Sequence, residues 1–543
     1  MALHVRRHGR CSPVRRAAFV RHVLPALSVA IAGWVTPAAA QQVATYDVLI
    51  VNGRVLDGTG NPWTYNDIAI SGDRIVAMGN LSGAAATRII DASGLYVAPG
   101  FIDVHTHAGG GLATADLSHA RPLLAQGITT ALLNPDGGGP VDLDRQREDL
   151  LRDGLGVNAG LLVPHGSIRR SVLGMDDRAP TLQELTRMKD LVRAGMEAGA
   201  FGMSSGPYYA PGSFAATEEL VELAKEAAPY GGVYTSHIRD EADYNIGVVA
   251  AVDEVIRIAR EAGVRGVATH LKALGPHVWG FGAALAMRID RARAEGVEVF
   301  ADQYPYTASA TGLTAALVPR WAQAGGDDSL LQRLAVPLVR ARIRAEMVDN
   351  LARRGGADRI QFRYHDADRS IEGRTLAAVA AERGLEAVDL AIQLVEAGSA
   401  GIVSFNMSDA DVEHLMRQPW MMTSSDGDLV PMGRGVPHPR IYGAFPRKIR
   451  MYVIEKGIID LADAVRSMTT LPATVFRIFD RGALRPGYAA DIVVFDLERL
   501  TDRATYADPH QLSEGMVYVL VNGQIALDGG TFTAVRAGRV LRR

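Results

Sequence analysis

The chain has one cysteine among its 543 residues, Cys11, and that residue lies in an unusual leading segment. A mature protein without that segment could form no disulfide and could offer no thiolate to a metal. Excess positive charge is missing as well. Lys and Arg number 57 against 60 Asp and Glu, a formal net charge of -3, so no basic field exists to recruit nucleic acid or an anionic membrane. Long hydrophobic runs are also lacking. The most apolar stretch, from Val23 to Val35, is too short and too interrupted for a transmembrane helix. What remains is an ordinary soluble profile, 48% hydrophobic and 22% charged, with enough apolar content for a large core. Its surface suits a small neutral or anionic substrate held by local charges.

The start of the chain has the anatomy of a secretory leader. Arg6, Arg7, Arg10, Arg15, Arg16 and Arg21 precede the apolar run, and Ala38-Ala39-Ala40 follows it with an A-x-A cleavage pattern. Residues 1–40 are therefore expected to be a signal peptide, placing the mature protein in the periplasm or outside the cell. Arg15-Arg16 followed by Phe19 hints at twin-arginine export, though the spacing is off by one.

After the leader the pattern changes twice. YDVLIVNGRVLDGTG, DIAISGDRIVAMG and TRIIDASGLYVAPG show period-two apolar positions broken by Asn-Gly, Asp-Gly and Gly-Asp, the signature of hairpins. GALRPGYAADIVVFD and VYVLVNGQIALDGGTF repeat that style near the C-terminus. The middle instead alternates short apolar strands with amphipathic helices. GGVYTSHI (231–238) predicts a strand, 245–262 a helix with Val252, Val255, Ile256 and Ala259 on one face, and GVRGVATHL (263–271) the next strand. Repeated units of this kind favour a parallel sheet closed into a barrel. The expected fold is α/β: a TIM-like (β/α)8 barrel over 99–483, with a small β-sandwich built from both termini, 41–98 and 484–543. Residues 311–400 are more helical and less regular, with charge concentrated from Arg340 to Arg354, and are expected to be an insertion over the barrel mouth.

The chemistry concentrates at strand ends. In GFIDVHTH (100–107), His105 and His107 are two apart, so both face the same side, which at the C-terminal rim of a barrel strand is the catalytic cup. His237 and His270 each end an apolar strand, one strand-helix unit apart, and can reach a common metal. Imidazole nitrogen is a preferred zinc ligand, although any one of these histidines can equally be a hydrogen-bonded core residue. Asp426 closes PWMMTSSD; a carboxylate there can bind the metal and take a proton from water, or simply turn the chain before Gly427.

With these residues in place, the chain resembles the amidohydrolase superfamily, and within it the N-acyl-D-amino-acid deacylase (D-aminoacylase) branch. The resemblance runs nearly the whole mature chain. It rests on GFIDVHTH, AQGITTALL, SSGPYYAPGSFA, GGVYTSHIRDEAD, ATHLKA, ADQYPYTAS, MMTSSDGD, HPRIYGAFPR, MTTLPA and LRPGYAADIVVFD. It implies one or two zinc ions at His105, His107, His237 and His270, with Asp426 as the catalytic acid-base. Lys272, Arg440 and Tyr209 would grip the substrate's carboxylate, a role that suits arginine's planar fork. Two departures stand out. Asp136 falls where the branch carries a metal-binding cysteine, and is expected to be a ligand in its place; Lys189, the nearest lysine, belongs to a predicted helix. Pro207-Tyr208 replaces the branch's Leu-Glu, which leaves the side-chain preference open.

The implied reaction is metal-assisted hydrolysis of a small N-acyl amino acid. Asp426 would move the proton from water to the leaving amine, and a tyrosine or a histidine such as His165 would help stabilise the oxyanion. Cyclic-amide opening of the hydantoinase or dihydroorotase type and dipeptide hydrolysis share the same metal site. A non-catalytic periplasmic binding protein on a decayed barrel is a more remote alternative, supported only by the displaced cysteine.

Overall fold

The computed structural model describes residues 45–543; the leader expected over residues 1–40 lies outside them. Eight short parallel strands carry the middle of the chain: β1 (Phe101–Asp103), β2 (Ile128–Leu133), β3 (Asn158–Leu161, continued by Val163–Pro164), β4 (Gly202–Ser205), β5 (Val233–Ser236), β6 (Arg265–Ala268), β7 (Val299–Gln303) and β8 (Met421–Thr423). Each pairs with the next in order. Closure occurs just beyond the strand ends. The N–H of Asp426 donates to the His105 carbonyl at 2.9 Å, that of His107 donates to the Gly427 carbonyl at 2.8 Å, and His107 bridges Asp428 in parallel. The result is a TIM-like barrel. Its strands are almost wholly buried on both faces, and the polar residues among them, such as Ser204, Ser205 and Thr235, are buried as well.

The helix after β5 shows how local chemistry sets the boundaries. It spans Val248–Ala262, starting three residues later than the apolar spacing predicts. Asp240 accounts for the difference: its carboxylate accepts the N–H groups of Ala242, Asn245 and Gly247, holding that segment as a loop. Gly263, in left-handed conformation, ends the helix and donates back to Ala259.

Between β7 and β8 the chain builds a separate body. An antiparallel sheet of Ser309–Gly312, Ala400–Ser404 and Ile360–His365 packs with helices that include Asp327–Ala335 and Pro337–Arg353. This body has its own apolar core, with Leu317, Ile343, Met347, Phe362, Leu390 and Ile402 at its centre. The charge-rich stretch is the amphipathic helix Pro337–Arg353, whose Ile343, Met347 and Leu351 point inward.

Both ends of the described chain form the second domain. One sheet runs Arg74–Gly79, Asp67–Ser71, Thr45–Val51, Ala85–Asp91; the other joins Tyr96–Pro99 from the N-terminal half to Ile492–Phe495 from the C-terminal half. Val48, Ile50, Ile68, Ile70, Ile492, Val494 and Leu520 fill the space between them. The final residues leave this sandwich. Gly538 pairs with Leu155 and Val540 with Ala159, so the tail runs along β3 of the barrel. Among the described residues no helix is long and apolar enough to cross a membrane.

Candidate active site

A cleft of about 910 Å³ opens at the C-terminal ends of the barrel strands, the face where side chains from different strands converge. His105 and His107 follow β1, His237 follows β5, His270 follows β6 and Asp426 follows β8. Asp136 follows β2, in a short turn. Its Oδ1 lies 3.3 Å from His105 Nε2 and 3.6 Å from His270 Nε2; its Oδ2 lies 3.4 Å from His107 Nε2 and 3.6 Å from His237 Nδ1. One carboxylate therefore faces four imidazoles. Asp426 Oδ1 adds contacts of 3.6 Å to His105 and 3.3 Å to His107.

The backbone is bent to make this possible. Asp136, His270 and Asp426 all have positive φ, at 56°, 36° and 48°, a region that side chains other than glycine seldom occupy and that clusters at functional sites. The surroundings hold each one. The His270 N–H donates to Asp302 Oδ1 at 2.9 Å, and Asp302 also accepts Ser424 Oγ at 2.6 Å. The Ser425 N–H donates to Asp103 Oδ1 at 3.0 Å, next to Asp426. Gly206 makes room for the Asp136 turn: a Cβ there would lie 2.3 Å from the Asp136 carbonyl oxygen.

Two ligand groups emerge, each with donor atoms within 4.8 Å of one another: His105, His107, Asp136 and Asp426, and Asp136, His237 and His270. Several of these atoms are buried and lack hydrogen-bond partners, namely His105 Nε2, Asp136 Oδ1 and both ring nitrogens of His237. Buried polar atoms are normally satisfied, so this constellation fits a cation held by imidazole and carboxylate, the donor set of zinc. The electrostatics agree. Burial lowers the His237 pKa, keeping its ring neutral and its lone pair available. Burial also works against charge on His107 and His270, yet the facing carboxylates raise them to about 10 and about 9, a field that favours a cation at this spot. Against the upward push of burial, Arg440 and His270 hold Asp426 well below the ordinary carboxylate range.

The three residues expected to grip a carboxylate all line the cleft, each already engaged. Arg440 lies 2.7 Å from Asp426 Oδ2 and over the Tyr304 ring, 4.7 Å from its centroid. Tyr209 packs on the His237 ring and shares a hydrogen bond with Thr311 at 3.2 Å. Lys272 pairs with Glu241 and approaches His270 Nδ1 at 2.8 Å. Glu241 is the residue the sequence argument missed. It reaches His237 at 3.6 Å and His270 at 3.3 Å, and its position four residues after His237 was the available signal. His165 is a correction: it opens the helix His165–Leu173, wholly buried against Glu219, with which Arg169 also pairs, and it does not line the cleft.

Comparison with known proteins places this geometry in a family. Residues 88–527 match the Amidohydrolase family. Two relatives from Alcaligenes xylosoxydans xylosoxydans, an N-acyl-D-glutamate deacylase and a D-aminoacylase, are 36% and 34% identical; each alignment covers 92% of this chain, with 96% and 98% of the relatives. Among solved structures, an N-acyl-D-glutamate deacylase from Bordetella bronchiseptica, complexed with zinc and a phosphonate inhibitor, superposes with a TM-score of 0.79 at 34% identity over 92% of this chain and all of that one. Hydantoinases share the fold at 17–18% identity, with TM-scores of 0.54 to 0.55.

Proposed function

The chain belongs to the amidohydrolase family, and from that premise we propose that it is a zinc-dependent deacylase that cleaves the amide bond of N-acyl-D-amino acids. The observation that carries this reading is the kinship with deacylases across 92% of the chain, ligand-bearing strand ends included. The residues suited to hold the metal are His105, His107, Asp136 and Asp426 on one side and Asp136, His237 and His270 on the other, with Asp136 shared. Zinc supplies Lewis acidity there, polarising the amide carbonyl and making water acidic enough to react near neutral pH.

The protein's own groups do the rest. Asp426 accepts the proton of the attacking water and returns it to the departing amine. Arg440, at 2.7 Å, keeps that carboxylate ionised and oriented. Arg440, Lys272 and Tyr209 surround the space where the substrate's carboxylate fits, fixing the carbonyl for attack. Glu241 supports this wall by holding Lys272 and the rings of His237 and His270. The basic, apolar and small-residue sequence of positions 1–40 supports action outside the cytoplasm.

The test is hydrolysis of paired N-acetyl-D- and N-acetyl-L-amino acids by protein of measured zinc content, with and without chelator. Chelator-sensitive release of the D-amino acids alone is the expected result. Zinc-loaded protein that releases neither series would refute the reading.

A further inference from the structure

Asp136 leaves β2 on a turn built almost entirely from left-handed backbone. Asn134 and Asp136 have φ of 63° and 56°, with Pro135 between them, and Gly137 follows at 72°. Such conformations are costly for residues that carry a Cβ, and they persist only where the surroundings hold them. The Asp136 carboxylate must nonetheless keep one oxygen on His105 and His270 and the other on His107 and His237, all within 3.3 to 3.6 Å. Something outside the turn has to fix it.

Two buried contacts do so. Ser204, at the end of β4 and 0% exposed, lays one hydroxyl across the turn. Its Oγ donates to the Asn134 carbonyl at 2.5 Å and accepts the Gly137 N–H at 3.1 Å. A hydroxyl has one donor and two acceptor lone pairs, so it can serve both groups at once. The backbone on either side of Asp136 is thereby tied to a single atom of the barrel wall, two strands away. The second contact is the Asn134 side chain, which exchanges two hydrogen bonds with Gln146, each at 2.8 Å, and donates to the Leu162 carbonyl at 3.0 Å. Gln146 sits on the helix Leu143–Leu151. Ser205, the next residue of β4, turns the other way: its hydroxyl meets Tyr234 at 2.7 Å and Ser236 at 3.1 Å, on β5.

We propose that Ser204 is a positioning residue for the metal centre, assisted by Gln146: it locks the Asp136 turn so that one carboxylate faces both ligand groups. This rests on the reading of Asp136 as the ligand those groups share. Ser204 does not line the cleft, so its effect on the metal passes through Asp136.

The experiment is zinc affinity by competition against a chelating dye, with the visible bands of the cobalt(II)-loaded protein as a readout of coordination and the Tm of metal-free protein as a readout of the fold. Ser204→Ala should weaken zinc binding by roughly 10- to 100-fold and alter the cobalt bands. Ser204→Thr, which keeps the hydroxyl, should restore most of the affinity. Ser205→Ala is the control: it removes an equally buried hydroxyl, and should lower the Tm while leaving zinc affinity and cobalt bands as in wild type. Gln146→Met, in a helix that accepts methionine readily, should weaken zinc in the same direction as Ser204→Ala and carries the test if that variant does not fold. Wild-type zinc affinity in both Ser204→Ala and Gln146→Met, or an equal loss in Ser205→Ala, overturns the assignment while leaving the metal site standing. A wild-type chain that binds no zinc removes both.

Discussion

Glu241 accepts the Lys272 ammonium at the floor of the cleft, the two side chains only 5% and 3% exposed. The pair stands directly behind two imidazoles, since Glu241 also approaches His270 Nδ1 at 3.3 Å and His237 Nε2 at 3.6 Å. Carboxylates in this position orient ligand rings and raise their basicity. Glu241→Gln should therefore weaken zinc binding by roughly 10- to 100-fold. Competition against a chelating dye measures this, and an unchanged zinc affinity would assign Glu241 to Lys272 alone.

Asp426 serves both the metal and the proton. Asp426→Asn keeps an oxygen in place but removes the base, so turnover should fall by roughly 10²- to 10⁴-fold. Zinc content should stay near the wild-type level, because His105, His107 and Asp136 still converge on the same point. Single-turnover assays and metal analysis on one preparation decide the matter; near wild-type activity would dismiss Asp426 from proton transfer.

Asp136 faces all four imidazoles, so its loss should reach both halves of the site. Asp136→Ala is expected to lower the zinc bound per chain. Asp136→Cys should restore much of it, since thiolate is an equally competent zinc ligand. The measurement is metal stoichiometry after dialysis. Full zinc loading in the alanine variant would reduce Asp136 to a turn residue.

Lys448 gives a pH signature remote from the cleft. It is buried behind β8 and donates to Thr423 Oγ1 and Ser467 Oγ, each at 2.8 Å. Burial pushes its ammonium down to about 7, whereas an unfolded lysine titrates near about 10.4. Between those values the unfolded chain binds more protons than the folded one, so this group makes stability rise with pH across that window. Lys448→Met removes the slope. Denaturant titrations at pH 7, 8 and 9 should show wild type gaining on the variant as pH rises; a constant difference would mean that the amine titrates normally.

The barrel was legible because short strands alternate with amphipathic helices, and the histidines because each sits just past such a strand. The limits are instructive. Asp240 binds three backbone N–H groups and delays the helix that follows, an effect that apolar spacing does not register. His165 sits in a polar-looking segment, yet as the first residue of its helix it turns to Glu219 and away from the cleft. Lys272 was expected to help hold the substrate's carboxylate; its pairing with Glu241, 31 residues earlier, is a contact that local sequence does not register.

The shared sheet of the sandwich also sets an order of events on the ribosome. Tyr96–Pro99 takes Ile492–Phe495 as its antiparallel neighbour, nearly 400 residues later. At roughly 5–20 residues per second, synthesis of the intervening chain takes about 20 to 80 s. Throughout that interval the early strand has an open edge, the kind of surface that pairs with the wrong chain. The domain that begins the described chain is thus among the last to be completed, and slow or stalled translation lengthens the period during which nascent chains can aggregate.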